Sequence, residues 1–172
     1  MVEQYNELSF LGGHKRVTMS MPNSATTELY SADGKALMRS TFNPATSPGK
    51  IKLIELRLAG TQDLYGCIEH QPYHMETGFY STFYVIVNGR KHLCSRSAMQ
   101  GNKIFVTDRS DHVLYTLVPT GGGYNMKNTQ GHPQGVITRH GRTLSIAFAD
   151  MLTSDSLKHS IISALIATEF KS

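Results

Sequence analysis

At 172 residues the chain is long enough for one domain with a sizeable core, and no Pro/Gly/Ser-rich linker divides it, so residues 1–172 read as a single domain. Hydrophobic residues at 40% against 17% charged exclude a disordered chain, and the polar, acidic opening MVEQYNELSF excludes a secretory signal, so a cytoplasmic protein is expected. The net charge of +4 is unevenly spread: Thr77 to Ala149 hold eight bases against two acids, the remainder nine bases against eleven acids, which suggests a polyanion-facing side.

In chain order, the first punctuated unit is Thr26 to Tyr30, the turn Ser31-Ala32-Asp33-Gly34, and Lys35 to Thr41: strand, Asp-Gly turn, strand. KIKLIELRL, Lys50 to Leu58, alternates with apolar residues on both sides, as in a strand covered from both faces for part of its length. Asp63 to His70 follows. Phe79 to Val87, Asn88-Gly89 and Arg90 to Ser95 form the clearest hairpin, because Asn-Gly supplies the two positive-φ residues of a type I′ turn. Lys103 to Thr107, Val113 to Val118, Tyr124 to Asn128, Gln134 to His140 and Thr143 to Phe148 bring the count to roughly ten to twelve strands, a spacing that suggests a barrel or sandwich.

One stretch reads as a helix, from a Ser154 or Asp155 cap to about Phe170. From Ser160 to Thr168 it carries no charge, and Leu157, Ile161, Ile162, Leu165, Ile166 and Phe170 cannot share one narrow face. A helix apolar nearly all round is buried in a core or a membrane. The run from Ile161 to Ala167 falls far short of the ~20 residues of a bilayer span. A hollow closed sheet would take such a helix into its lumen.

The order of hairpins with turns such as YSADGK, the strand RTLSIAF from Arg142 to Phe148, a short polar link and a terminal apolar helix resembles the tubby C-terminal-like superfamily. Within it the likeness is closest to the plant LURP-one-related proteins and, more distantly, to phospholipid scramblases. The resemblance implies a mainly β fold: a closed antiparallel β-barrel of about twelve strands around the hydrophobic C-terminal α-helix. It also implies contact with membrane lipid, as in the phosphoinositide-reading tubby proteins, or a defence-related role. The scramblases' cysteine-rich stretch and proline-rich leader have no counterpart in this sequence, so lipid scrambling is not expected.

Cations on adjacent strands can converge on phosphate oxygens, Arg as a fork and Lys as a point charge. GKIKLIELR and NGRKHLCSR offer Lys50, Lys52, Arg57, Arg90, Lys91 and Arg96 as an anion or lipid-headgroup site. Cys67, His70 and His74 have ligand-like spacing but lack a fourth partner nearby, and a strand running into a Pro-containing turn need not bring them together, so no metal is expected. Cys67 and Cys94 are expected as free thiols. The loop DRSDH, with Asp108, Asp111 and His112, reads as a hairpin turn, and Gly121 to Gly123 have no Lys-Ser/Thr behind them to make a phosphate-binding loop. No catalytic signature stands out, and neither an enzyme nor a cofactor is expected.

The sequence reading is therefore a non-enzymatic module that binds anionic phospholipid or phosphoinositide headgroups peripherally through a basic barrel surface. The alternative is a structural or regulatory barrel that binds a protein partner. Nucleic acid is not expected, for want of an aromatic platform or recognition helix. A small-ligand carrier is disfavoured because the helix fills the lumen, and its mark would be an empty cavity of several hundred cubic ångströms.

Overall fold

The computed structural model describes residues 11, 13–23, 25–42, 52–71, 80–87, 90–98, 103–107, 112–152 and 155–169. It is mainly antiparallel β with one C-terminal helix. The strands are β1 (Arg16–Asn23), β2 (Thr26–Ser31), β3 (Ala36–Phe42), β4 (Lys52–Leu58), β5 (Leu64–Gln71) and β6 (Tyr80–Val87). They continue with β7 (Arg90–Ala98), β8 (Ile104–Thr107), β9 (Val113–Thr120), β10 (Gly123–Asn128), β11 (Pro133–His140) and β12 (Thr143–Phe148), and α1 (Asp155–Glu169) ends the described chain. Each strand pairs with its sequence neighbours, and β1 pairs with both β2 and β12, so the sheet returns on itself as a closed barrel.

Eleven of these strands coincide with the expected segments to within a few residues, and β1 is the addition. RVTMSMPN has Val17 and Met19 buried, alternating with Arg16, Thr18 and Ser20, but it is short of β-branched and aromatic residues and carries Pro22 next to its end. It is the strand that joins the two ends of the sheet, with Val17 opposite Ile146 on one side and Ser31 on the other.

The core is made by the inward half of each alternation. One row across the sheet runs Leu58, Met38, Leu29, Met19 and Leu144, all directed to the inside, and ends at Arg139. In β4 the buried residues are Ile54 and Leu56, whereas Leu53, Glu55 and Arg57 on the other face are only partly covered. The expectation that β4 is enclosed on both faces is thus corrected: one face meets the core, and the outer one is partly exposed.

Ten consecutive residues of α1, Lys158 to Ala167, are buried. Successive side chains turn by about 100°, so ten of them cover every azimuth and the helix is enclosed on all sides. Ile161, Ile162, Leu165 and Ile166 belong to the same core cluster as the inward strand residues, and the helix packs nearest β5 to β8. Leu157 packs against this cluster, while Phe170 lies outside the described residues.

The helix is less uniformly apolar inside the barrel than its final turns suggest. Lys158, His159, Ser160 and Ser163 are buried with it. The Lys158 ammonium donates to the carbonyl of His14 at 2.7 Å and reaches that of Leu11 at 3.5 Å, and it stands 5.1 Å from the centre of the Phe148 ring. Leu11, fully buried just ahead of β1, closes this end of the core. His159 Nε2 lies 2.7 Å from the Tyr65 hydroxyl and its Nδ1 3.2 Å from the Ser163 hydroxyl. Burial holds the Tyr65 hydroxyl well above the usual phenol range, so it remains protonated within this polar thread.

Candidate functional site

In an up-and-down barrel, successive turns alternate between the two ends. The β1–β2, β3–β4, β5–β6, β7–β8, β9–β10 and β11–β12 connections share one end, where α1 finishes, and the remaining turns share the other, where α1 begins. This alternation sorts the expected anion-binding residues. Lys52 opens β4, and its row runs through His70 and Phe83 to Ser95, next to Arg96. Lys52 and Arg96 therefore belong to the end where α1 finishes. Arg57 closes β4 and Arg90 and Lys91 open β7, at the opposite end.

Of the six expected residues, the five that are described do not form one cluster by register. Arg90 and Arg96 are six residues apart on one strand, ~20 Å at ~3.3 Å per residue. Lys52 and Arg96 sit three strands apart, ~14 Å at ~4.8 Å per strand. The Arg57 guanidinium is engaged locally, 3.7 Å from Glu55 and 3.1 Å from the carbonyl of Gln62. Lys50 lies outside the described residues. Of the residues weighed as metal ligands, Cys67 lies on β5 opposite Ile86 and His70 on the same strand opposite Phe83, and His74 lies outside the described residues. Cys67 is a free thiol, and Cys94 lies on β7 opposite Tyr84, two rows away.

The end where α1 finishes holds a cavity of about 510 Å³. Its walls come from the ends of β9 to β11 and their turns: Pro119, Thr120, Gly121 to Gly123, Tyr124 and Arg139, with Thr168 of α1 beneath. Arg139 is on the inner face because it is paired with the buried Leu144, yet the stagger of the barrel carries its row out to the mouth, where the residue is exposed. Among the described lining residues it is the one charged side chain, and no carboxylate is present.

The turn glycines differ in kind. Gly123 takes φ +156°, and a Cβ there would lie 1.9 Å from the Ile137 carbonyl oxygen, so close strand pairing requires glycine. Gly121 and Gly122 have no positive φ, and a Cβ on either would meet nothing within 4 Å. Nothing in the fold demands glycine at these two positions. They leave the rim of the cavity low.

Charge separates the two ends further. Around the cavity end the exposed ionic side chains among the described residues are Lys103, Arg139 and Arg142. The opposite end mixes signs: Asp33, Asp63 and Asp150 lie there together with Lys15, Arg16, Lys35, Arg57 and Lys127, Asp150 pairs with Lys15 at 3.2 Å, and the Ser31 hydroxyl, bonded to Asp33, holds that carboxyl below its usual range. Lys103, Arg139 and Arg142 were part of the basic middle segment in the sequence but were not singled out. The signal that finds them is the alternation of turns, which assigns an end to every loop once the strands are counted.

No protein-family model matches the chain, and no curated protein matches it in sequence. Its structure is similar to the crystal structure of a protein from Arabidopsis thaliana, with a TM-score of 0.59 and 7% sequence identity, covering 89% of this chain and 91% of that one. At this identity the likeness is one of fold.

Proposed function

We propose that the protein is a non-enzymatic binding module of tubby C-terminal-like type, with the LURP-one-related proteins and scramblases as its nearest resemblance, and that it docks peripherally on anionic phospholipid surfaces. The observation that carries this reading is the cationic character of the cavity end, where Lys103, Arg139 and Arg142 are the exposed ionic side chains among those described, whereas the opposite end mixes Asp33, Asp63 and Asp150 with Lys15, Arg16, Lys35 and Lys127. The docking surface is accordingly the cavity end, not the outer face formed by β4 and β7. No helix among the described residues is long and apolar enough to cross a membrane, so α1 does not serve as an anchor in this reading.

Juxtamembrane cations contribute about 1 kcal/mol each near an anionic leaflet, so neutralising two of them weakens partitioning by roughly 30-fold. The test is flotation with phosphatidylcholine vesicles, with and without phosphatidylserine or phosphoinositide. Lys103→Glu with Arg142→Glu should abolish binding to the anionic vesicles, and Arg90→Glu with Lys91→Glu should leave most of it. Raising the salt should weaken it, since screening lengths shorten from ~8 Å at physiological ionic strength. Equal flotation of the two double variants would refute the docking end, and no flotation of the wild type would refute the lipid reading.

A further inference from the structure

We infer that the cavity at the cationic end is a specific binding site for a small phosphate monoester, soluble or presented as a lipid headgroup. The inference takes the same end of the barrel as the docking reading but does not depend on membrane binding. Three observations meet there. The first is size: about 510 Å³ is far more than an inorganic anion occupies and falls in the range of sites for small organic ligands.

The second is the mixed chemistry of the wall. Arg139 offers a planar fork suited to the terminal oxygens of a phosphate, the hydroxyls of Thr120 and Tyr124 add polar partners, and Ile104 and Pro119 supply apolar surface for the ester's organic part. Among the described lining residues none is a carboxylate, so none of these side chains opposes a dianionic group. The third is the rim. Gly121 and Gly122 are free of both backbone strain and steric crowding, so their lack of side chains has one visible consequence, an open approach to Arg139.

The competing role for Arg139 is structural. α1 ends at this cavity with Thr168, whose hydroxyl donates to the Ala164 carbonyl, and the carbonyl pole of a helix favours a cation. A site that serves only the helix would be indifferent to ligand and sensitive to stability, which separates the two roles.

The probe is phenyl phosphate, followed by titration calorimetry on the full chain, with inorganic phosphate and benzyl alcohol as partial probes. Phenyl phosphate should bind more tightly than either. Arg139→Gln should weaken it at least ~10-fold, the loss expected of a hydrogen bond to a charged group. Gly122→Val should weaken it comparably with an unchanged melting temperature, because its Cβ enters open space. A second arm compares vesicles of phosphatidic acid, a monoester, with phosphatidylglycerol, a diester. A preference for phosphatidic acid that Gly122→Val removes, without phenyl phosphate binding, identifies the lipid as the source of the monoester. Failure of phenyl phosphate together with equal binding to the two lipids overturns the inference, as does full binding by Arg139→Gln. Vesicle binding lost in Lys103→Glu with Arg142→Glu but indifferent to the headgroup ester leaves the docking reading and removes this one. Saturable phenyl phosphate binding without flotation does the reverse.

Discussion

Replacing Ser160 by alanine should stabilise the protein, although Ser160 is fully buried in the central helix. Its hydroxyl has no hydrogen-bond partner among the described residues. A buried hydroxyl left unsatisfied costs about 1–3 kcal/mol, and alanine is the better helix former by up to ~0.5 kcal/mol. Against this stands the loss of one oxygen's packing contacts, a few tenths of a kcal/mol at ~0.1–0.2 kcal/mol per atom pair. The net gain is about 1–2 kcal/mol, and at this chain length each kcal/mol raises the melting temperature by ~2–4 °C. Ser163→Ala, one turn away and equally buried, is the matched control with the opposite sign. It removes the 3.2 Å contact to His159 Nδ1 and should cost ~1–3 kcal/mol. Thermal or urea unfolding followed by circular dichroism checks both. If Ser160→Ala melts as low as Ser163→Ala, the Ser160 hydroxyl has a partner and the reasoning fails.

Two further outcomes follow from the same structure. Ile162→Asp or Leu165→Asp places a carboxylate where exposure is 0% and 1%, and should unfold the chain altogether; a variant folded by circular dichroism but deficient in vesicle binding would move the helix out of the barrel. The Cys67 thiol is pushed up by burial and, secondarily, by Glu69 and Glu55, so its thiolate fraction at neutral pH lies below that of an exposed cysteine. In a Cys94→Ser background its reaction with a disulfide reagent should be slower than that of a small thiol, should rise with pH, and should quicken in Glu69→Gln; an unchanged rate in that variant would show that burial alone sets it.

The strands were legible where alternation and turn chemistry agreed. Val85 to Val87 and Arg90 flank an Asn-Gly turn, and the register places Val87 opposite Arg90 as a two-residue connection requires. β1 was missed for a local reason, since Met19, Ser20, Met21 and Pro22 argue weakly for a strand even though Val17 and Met19 alternate correctly. In the helix, the apolar residues announced burial, but Lys158 and His159 did not announce themselves as part of it. Their partners, the carbonyl of His14 and the hydroxyl of Tyr65, lie 144 and 94 residues away in the chain.

The functional residues divide along the same line. A list of bases in sequence gives no separation between Arg90 and Arg96, whereas the sheet places them near opposite ends of β7. Arg139 looks like one more surface base in QGVITRH, and its value comes from a pairing with Leu144 on the inner face and from the neighbouring turn at Gly121 and Gly122. By itself the sequence determined a chain of short antiparallel strands and a helix that must be enclosed, because both follow from periodicities of two and 3.6 residues read within a dozen positions. Only the tertiary structure decided which charges share an end, which polar groups accompany the helix inside and where a cavity opens, because each depends on barrel closure and stagger, which bring together residues far apart in the chain.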